Sequence, residues 1–156
     1  MSWDPNWFMP LQAYSWTCSV CSVTWVLQAT GTAYQDADIY DARYAVGEEM
    51  GYPSCVNETY GCMSQQCVVD EFGTHGLIAR QGYVTFDQAY AIAGQYTGTI
   101  NPVGMYHFMG IRGRSGSDLW VANSANPGYM GVYDTLSRSQ FNALGPVSLI
   151  YVESRA

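Results

Sequence analysis

The apolar residues of this chain change their spacing near Gly98, and that change constrains the fold more than any other feature of the sequence. Before it they recur three and four residues apart, as on one face of a helix; after it they alternate, as on a half-buried strand. Val20, Val23, Val26 and Leu27 mark a helix that starts at Cys18 and is stopped by Gly31. A second helix is expected over "QDADIYDARYAV" and a third over "MSQQCVVDEFG". A fourth begins where Thr85 and Gln88 form a capping-box pair ahead of "AYAIAGQY". Beyond Gly98, "GMYHFMGI" and "LWVAN" flank the turn-rich "RGRSGSD" and read as a hairpin. A strand near "GYMGVY", a short helix opened by Ser137 and Gln140, and a last strand "PVSLIYVES" complete the pattern. Helices first and an antiparallel sheet second define an α+β class, expected to form one domain over residues 1–156.

Composition narrows the function classes. Thirteen acidic residues oppose six basic ones, all of them arginine, for a net charge of -7. Such a surface repels a phosphate backbone, so nucleic acid is not an expected partner. Arg112 and Arg114 are the single close basic pair. With 48% apolar residues but no apolar run of spanning length, the chain reads as a globular domain without a membrane segment. Asp4, Pro5 and Pro10 interrupt any secretory signal, which leaves a cytoplasmic location as the default expectation. The sequence sets no expectation for the oligomeric state.

The five cysteines cannot all be paired. Cys18 and Cys21 have CxxC spacing, but a zinc site needs a second close pair, and Cys55, Cys62 and Cys67 stand seven and five residues apart. No βαβ unit surrounds the first pair, so a redox motif lacks its setting. A disulfide within the second group, or plain packing, is the expectation there, and no metal or cofactor is called for. Cys18 then reads as a nucleophile: a thiol in the first turn of a helix faces unpaired N–H groups and the positive end of the dipole, which favour the thiolate. Cys21, one turn further, reads as helix packing.

A nucleophilic thiol needs a base, and the only histidines are His75 and His107. His75 lies in "FGTHGL", a helix-to-strand turn with nothing evident to hold it rigid, and is read as structural or surface. His107 falls in the middle of the strand "GMYHFMGI", a firmer platform. If Arg112 faces Asp118 across the loop, His107 faces Asn123 on the same side of the sheet. Asn123 would then fix the imidazole tautomer that accepts the thiol proton. Gln12, six residues before Cys18, offers an amide to the developing oxyanion together with the Cys18 N–H. The position six before Cys21 is Ser15, which has no amide to give. Trp16 lines a substrate cleft or serves packing, and Asn126 reads as a turn residue before Pro127. Asn57-Glu58-Thr59 matches a glycosylation sequon, a short pattern that arises often by chance.

"PLQAYSWTCSVCSVTWVLQATG" and "GMYHFMGIRGRSGSDLWVANSANPG" together resemble the motifs of papain-like cysteine peptidases, closest to the compact bacterial double-glycine leader peptidase-like branch. The closing "DTLSRSQFNALGPVSLIYV" is similar to that branch as well. The resemblance implies a papain-like fold with the nucleophile opening the central helix, and a Cys18–His107–Asn123 triad assisted by Gln12. It also implies hydrolysis of a peptide or protein through an acyl-thioester. Thr17 and Ser19 stand where the branch usually has Asp and Gly, and Asn123 where it has Asp. Two other readings share the fold: a peptidoglycan amidase or acyl transferase, and a papain-like interaction module without turnover.

Overall fold

The computed structural model describes residues 18–34, 39–52, 54–57, 61–62, 64–102, 107–122 and 133–155. In chain order the elements are α1 (Cys18–Ala29), α2 (Ile39–Glu49), β1 (Val56–Asn57), β2 (Gly61–Cys62), α3 (Gln65–Thr74), β3 (Leu77–Val84), α4 (Phe86–Ala93), β4 (Thr97–Pro102), β5 (Met109–Ser115), β6 (Asp118–Ala122), β7 (Tyr133–Leu136), α5 (Arg138–Ala143) and β8 (Val147–Arg155). Six of the strands form one antiparallel sheet in the order β3-β8-β4-β5-β6-β7, and β1 pairs with β2 apart from it. Among the described residues no helix is long and apolar enough to cross a membrane.

Alternation along the strands sorts side chains between two cores. On β8, Val147 and Leu149 enter one cluster with Phe86, Ala89 and Phe141 of α4 and α5, while Ile150 and Val152 enter the other with α1, α2 and α3. Near β5, Phe108 joins the α1 side, and Met109 and Ile111 join the α4 side. A strand with period two thus supplies both faces of the sheet, and each face needs its own helical cover.

α1 is the most enclosed element: all of its residues, polar ones included, are buried. Threonine hydroxyls turn inward on the helix itself, Thr24 Oγ1 donating to the Val20 carbonyl at 2.7 Å and, just past its end, Thr30 Oγ1 to the Val26 carbonyl at 2.6 Å. Gly31, with φ of 70°, ends the helix at the expected place. The helix lies so close to the sheet that a Cβ at Gly110 would sit 2.5 Å from the Trp25 ring. The two expected capping boxes are formed in full, Thr85 with Gln88 ahead of α4 and Ser137 with Gln140 ahead of α5.

The hairpin of β5 and β6 is built differently from the expected pairing. Asp118 faces Ser115, not Arg112, and Ile111 faces Val121 where Leu119 was expected. Two glycines account for the difference. Gly116, with φ of 60°, allows a two-residue turn in place of the long loop, and Gly113, with φ of 77°, sits in an irregularity between Ile111 and Arg114. At the Ile111 end the register has moved by two residues, a shift that keeps every side chain on its original face. Arg112 Nη1 instead donates to Thr97 Oγ1 at 3.1 Å, and Arg114 Nε to the Tyr90 carbonyl at 2.8 Å, with its guanidinium 4.1 Å over the Tyr90 ring. The basic pair therefore fastens the hairpin to β4 and α4.

Gly98 is required by the close approach of β8: a Cβ there would meet the Ile150 carbonyl oxygen at 2.1 Å and Tyr151 Cα at 2.7 Å. Backbone atoms inside a paired sheet cannot yield as a flexible side chain does. Gly98→Ala is expected to destabilise the fold by about 1–3 kcal/mol or more, read as a lower midpoint in thermal unfolding. Thr85→Ala, which removes one cap, should cost about 1 kcal/mol.

Candidate active site

Cys18 is the first residue of α1 and is 5% exposed. The Phe108 backbone N–H donates to its Sγ at 3.4 Å, joining the start of the helix to a segment ninety residues further along the chain. The N–H groups of Ser19 and of Cys18 itself also point hydrogen-bonding density at the sulfur. These three donors favour a thiolate, as expected at a helix start. They are outweighed: burial is the larger effect and pushes the Cys18 thiol above its ordinary range. The expectation of a lowered thiol pKa is thus corrected by desolvation, which favours the neutral thiol. Cys21, three residues on, is fully buried within the apolar cluster around α1.

His107 is half-buried and lies just before β5, not in the middle of a strand. The ladder between β4 and β5 ends at Ile100 facing Met109. Beyond it β4 closes with Pro102, which has no N–H to continue the ladder, and the Phe108 N–H is committed to the Cys18 sulfur. The His107 backbone is held by a side chain instead. With its amide nitrogen turned towards the segment, Asn101 donates to the His107 carbonyl at 3.0 Å and to the Pro102 carbonyl at 3.1 Å. Sequence reasoning did not single out Asn101; its one signal was an amide residue placed directly before a strand-ending proline. The structure therefore brings Cys18 against the neighbour of His107. Gln12, Trp16 and Asn123 lie outside the described residues.

The second histidine is held more firmly than its turn suggested. His75 caps the C-terminus of α3, and its Nε2 lies 2.7 Å from Glu49 Oε2 and 3.0 Å from Glu71 Oε1. The Tyr34 ring meets it edge-on at 5.7 Å between centroids. Burial beside Glu49 pushes the Glu71 carboxyl up to about 9. Glu71 and His75, four residues apart on one helix face, were a legible signal in the sequence. Cys55 and Cys67 form a disulfide, one of the outcomes expected for the second cysteine group.

No protein-family model and no curated protein sequence matches the chain. Solved structures do. One is a double glycine motif protease from an AMS/PCAT transporter in complex with the leader peptide, with a TM-score of 0.62 at 13% identity over 99% of each chain. Another is the peptidase domain of Streptococcus ComA, a bifunctional ABC transporter involved in quorum sensing, with a TM-score of 0.66 at 11% identity over 96% of this chain and 100% of that one. The fold is papain-like. Both neighbours are peptidase domains, and the first is a double glycine motif protease, the branch that the sequence resembles. In the papain-like arrangement seen here, the cysteine at the head of the buried helix and the histidine segment at the head of β5 meet at one end of the sheet.

A thiol governed by burial should show that in its reactivity. Alkylation by iodoacetamide, assigned to Cys18 by mass spectrometry against Cys18→Ala, is expected to keep rising as pH passes 9.0. A plateau near neutral pH would mean that a neighbouring cation, not desolvation, sets its ionisation.

Proposed function

We propose that the chain is a cysteine peptidase that cleaves a peptide or protein substrate with Cys18 as nucleophile and His107 as general base. The observation that carries the reading is the 3.4 Å hydrogen bond from the Phe108 N–H to the Cys18 sulfur, which sets the residue beside His107 against a helix-start thiol in a papain-like fold. A neutral resting thiol is inert until its proton is taken, so a base must act as the substrate arrives. His107 removes that proton while the sulfur attacks the carbonyl carbon. Gln12 and the Cys18 N–H stabilise the oxyanion, and His107 returns the proton to the departing amine. Water, deprotonated by the same imidazole, then attacks the acyl-thioester carbonyl; the carboxylic acid leaves and Cys18 regains its proton. Asn123 orients the imidazole in the tautomer this requires.

A peptide substrate is supported by the neighbour whose structure contains a leader peptide. Thr17 and Ser19 beside the nucleophile differ from the residues usual in that branch, so the substrate is assigned only as a peptide segment and not by a double-glycine rule. The burial of Cys18 favours one competing reading, an interaction module that keeps the fold without turnover.

Cleavage of a peptide library, followed by mass spectrometry, separates the two. Cys18→Ala should abolish turnover, and His107→Ala should lower it by about 10²–10⁴-fold. Gln12→Ala should cost about 10²–10³-fold, as for an oxyanion donor, with Asn123→Ala reducing activity less than His107→Ala does. Binding of peptide with no cleavage by the unmodified chain would establish the module.

A further inference from the structure

We propose that Glu49, Glu71 and His75 form a binding site for a divalent transition metal ion of zinc's chemistry, clamping the end of α2 to the C-terminal turn of α3. The three ligand atoms all lie within 4.8 Å of one another. His75 Nε2 stands 2.7 Å from Glu49 Oε2 and 3.0 Å from Glu71 Oε1. Ligands around a tetrahedral zinc are about 3.4 Å apart, so the imidazole needs to draw back from the two carboxyls by about 0.4–0.7 Å to admit the ion.

Several features place these atoms with intent towards a cation. Glu71 and His75 are four residues apart on α3 and share its face, while Glu49 is the last residue of α2, so the site closes a gap between two helices. The Glu71 side chain is only 1% exposed, and its ion-pair partner is an imidazole rather than an arginine. The chain has no lysine at all, so this buried carboxyl has none to draw on. The α3 side of the site is braced. Cys67, on α3, is bonded to Cys55, and the imidazole is met edge-on by Tyr34, whose carbonyl accepts from Gln28 Nε2 of α1 at 2.8 Å.

The donor set selects the ion. One imidazole nitrogen with two carboxylates suits zinc, cobalt or nickel, whereas calcium and magnesium prefer oxygen alone and more ligands than three. Three protein ligands leave a fourth position for water. The ion would enter as the hydrogen bonds between the imidazole and the two carboxyls part, any bound proton leaving to solvent. The site is separate from the candidate active site and takes no part in the proposed hydrolysis. Its role is to hold α2 and α3 together behind α1.

The test uses the full chain carrying Cys18→Ser, so that the candidate active-site thiol cannot hold the ion, freed of metal by dialysis against a chelator. Zinc chloride is titrated by calorimetry, and thermal unfolding is followed alongside. One zinc per chain should bind and raise the unfolding midpoint, while magnesium and calcium leave it unchanged. Glu49→Gln, at the half-exposed ligand, and His75→Gln should each weaken zinc binding at least tenfold. If His75→Gln fails to fold, Glu49→Gln alone decides. Absence of stoichiometric zinc binding, or binding that survives Glu49→Gln unchanged, would overturn the proposal.

Discussion

Everything else in this molecule is arranged around a helix that has no exposed face. α1 is buried from its first residue to its last, and its contact with the sheet is set by the missing side chain at Gly110, against which the Trp25 ring lies. With that contact fixed at one end and the Phe108 amide bonded to the Cys18 sulfur at the other, the helix has little freedom to slide or roll. The sheet is then obliged to pack helices on both faces, which is why its interior strand β8 is apolar towards both cores. A surface helix could not serve in this way, because its head would face water and its thiol would meet solvent.

The same enclosure shapes the chemistry. A helix start and an apolar surround act on the sulfur in opposite directions, and here the surround prevails. In the proposed reaction, proton transfer must therefore accompany bond formation. That places the demand for precision on the histidine segment rather than on the cysteine, and the backbone there is held by Asn101 from the adjacent strand. A segment that leaves its ladder early would otherwise have an unsatisfied carbonyl beside the reacting groups.

How much of this was legible depended on whether the signal was local. Cys18 as the helix start, Gly31 as its stop, and both capping boxes are decided by neighbours within a few residues, and all appear as read. The helical-then-sheet order follows from hydrophobic period in the same way. β3 was not read as a strand because "LIARQGYV" is an edge strand with most of its side chains exposed, and its conformation comes from pairing with β8, some seventy residues away. The hairpin register depended on which of several glycines turned the chain, a choice made by the backbone at Gly113 and Gly116 together with the grip of Tyr90 on Arg114. His75 looked unsupported because one of its two carboxylate partners, Glu49, is on a different helix, and the local clue, Glu71 four residues before it, was passed over. Cys18 and His107 were legible as chemical types at a spacing, but the amide that joins their segments belongs to Phe108, whose side chain carries no hint of it.

The cysteines carry one further consequence, which concerns the order in which the chain must fold. Cys55 and Cys67 are oxidised to each other while Cys18 and Cys21 remain reduced, two oxidation states within one small domain. Exchange between them requires a thiolate to reach a disulfide sulfur, and in the native fold both reduced thiols are shut away in the packing around α1. Before α1 is covered no such barrier exists, and Cys18 is open to capture in a wrong pairing. The burial that tunes the thiol thus also protects it: packing of the central helix is the event that separates the two reduced cysteines from the disulfide-bonded pair.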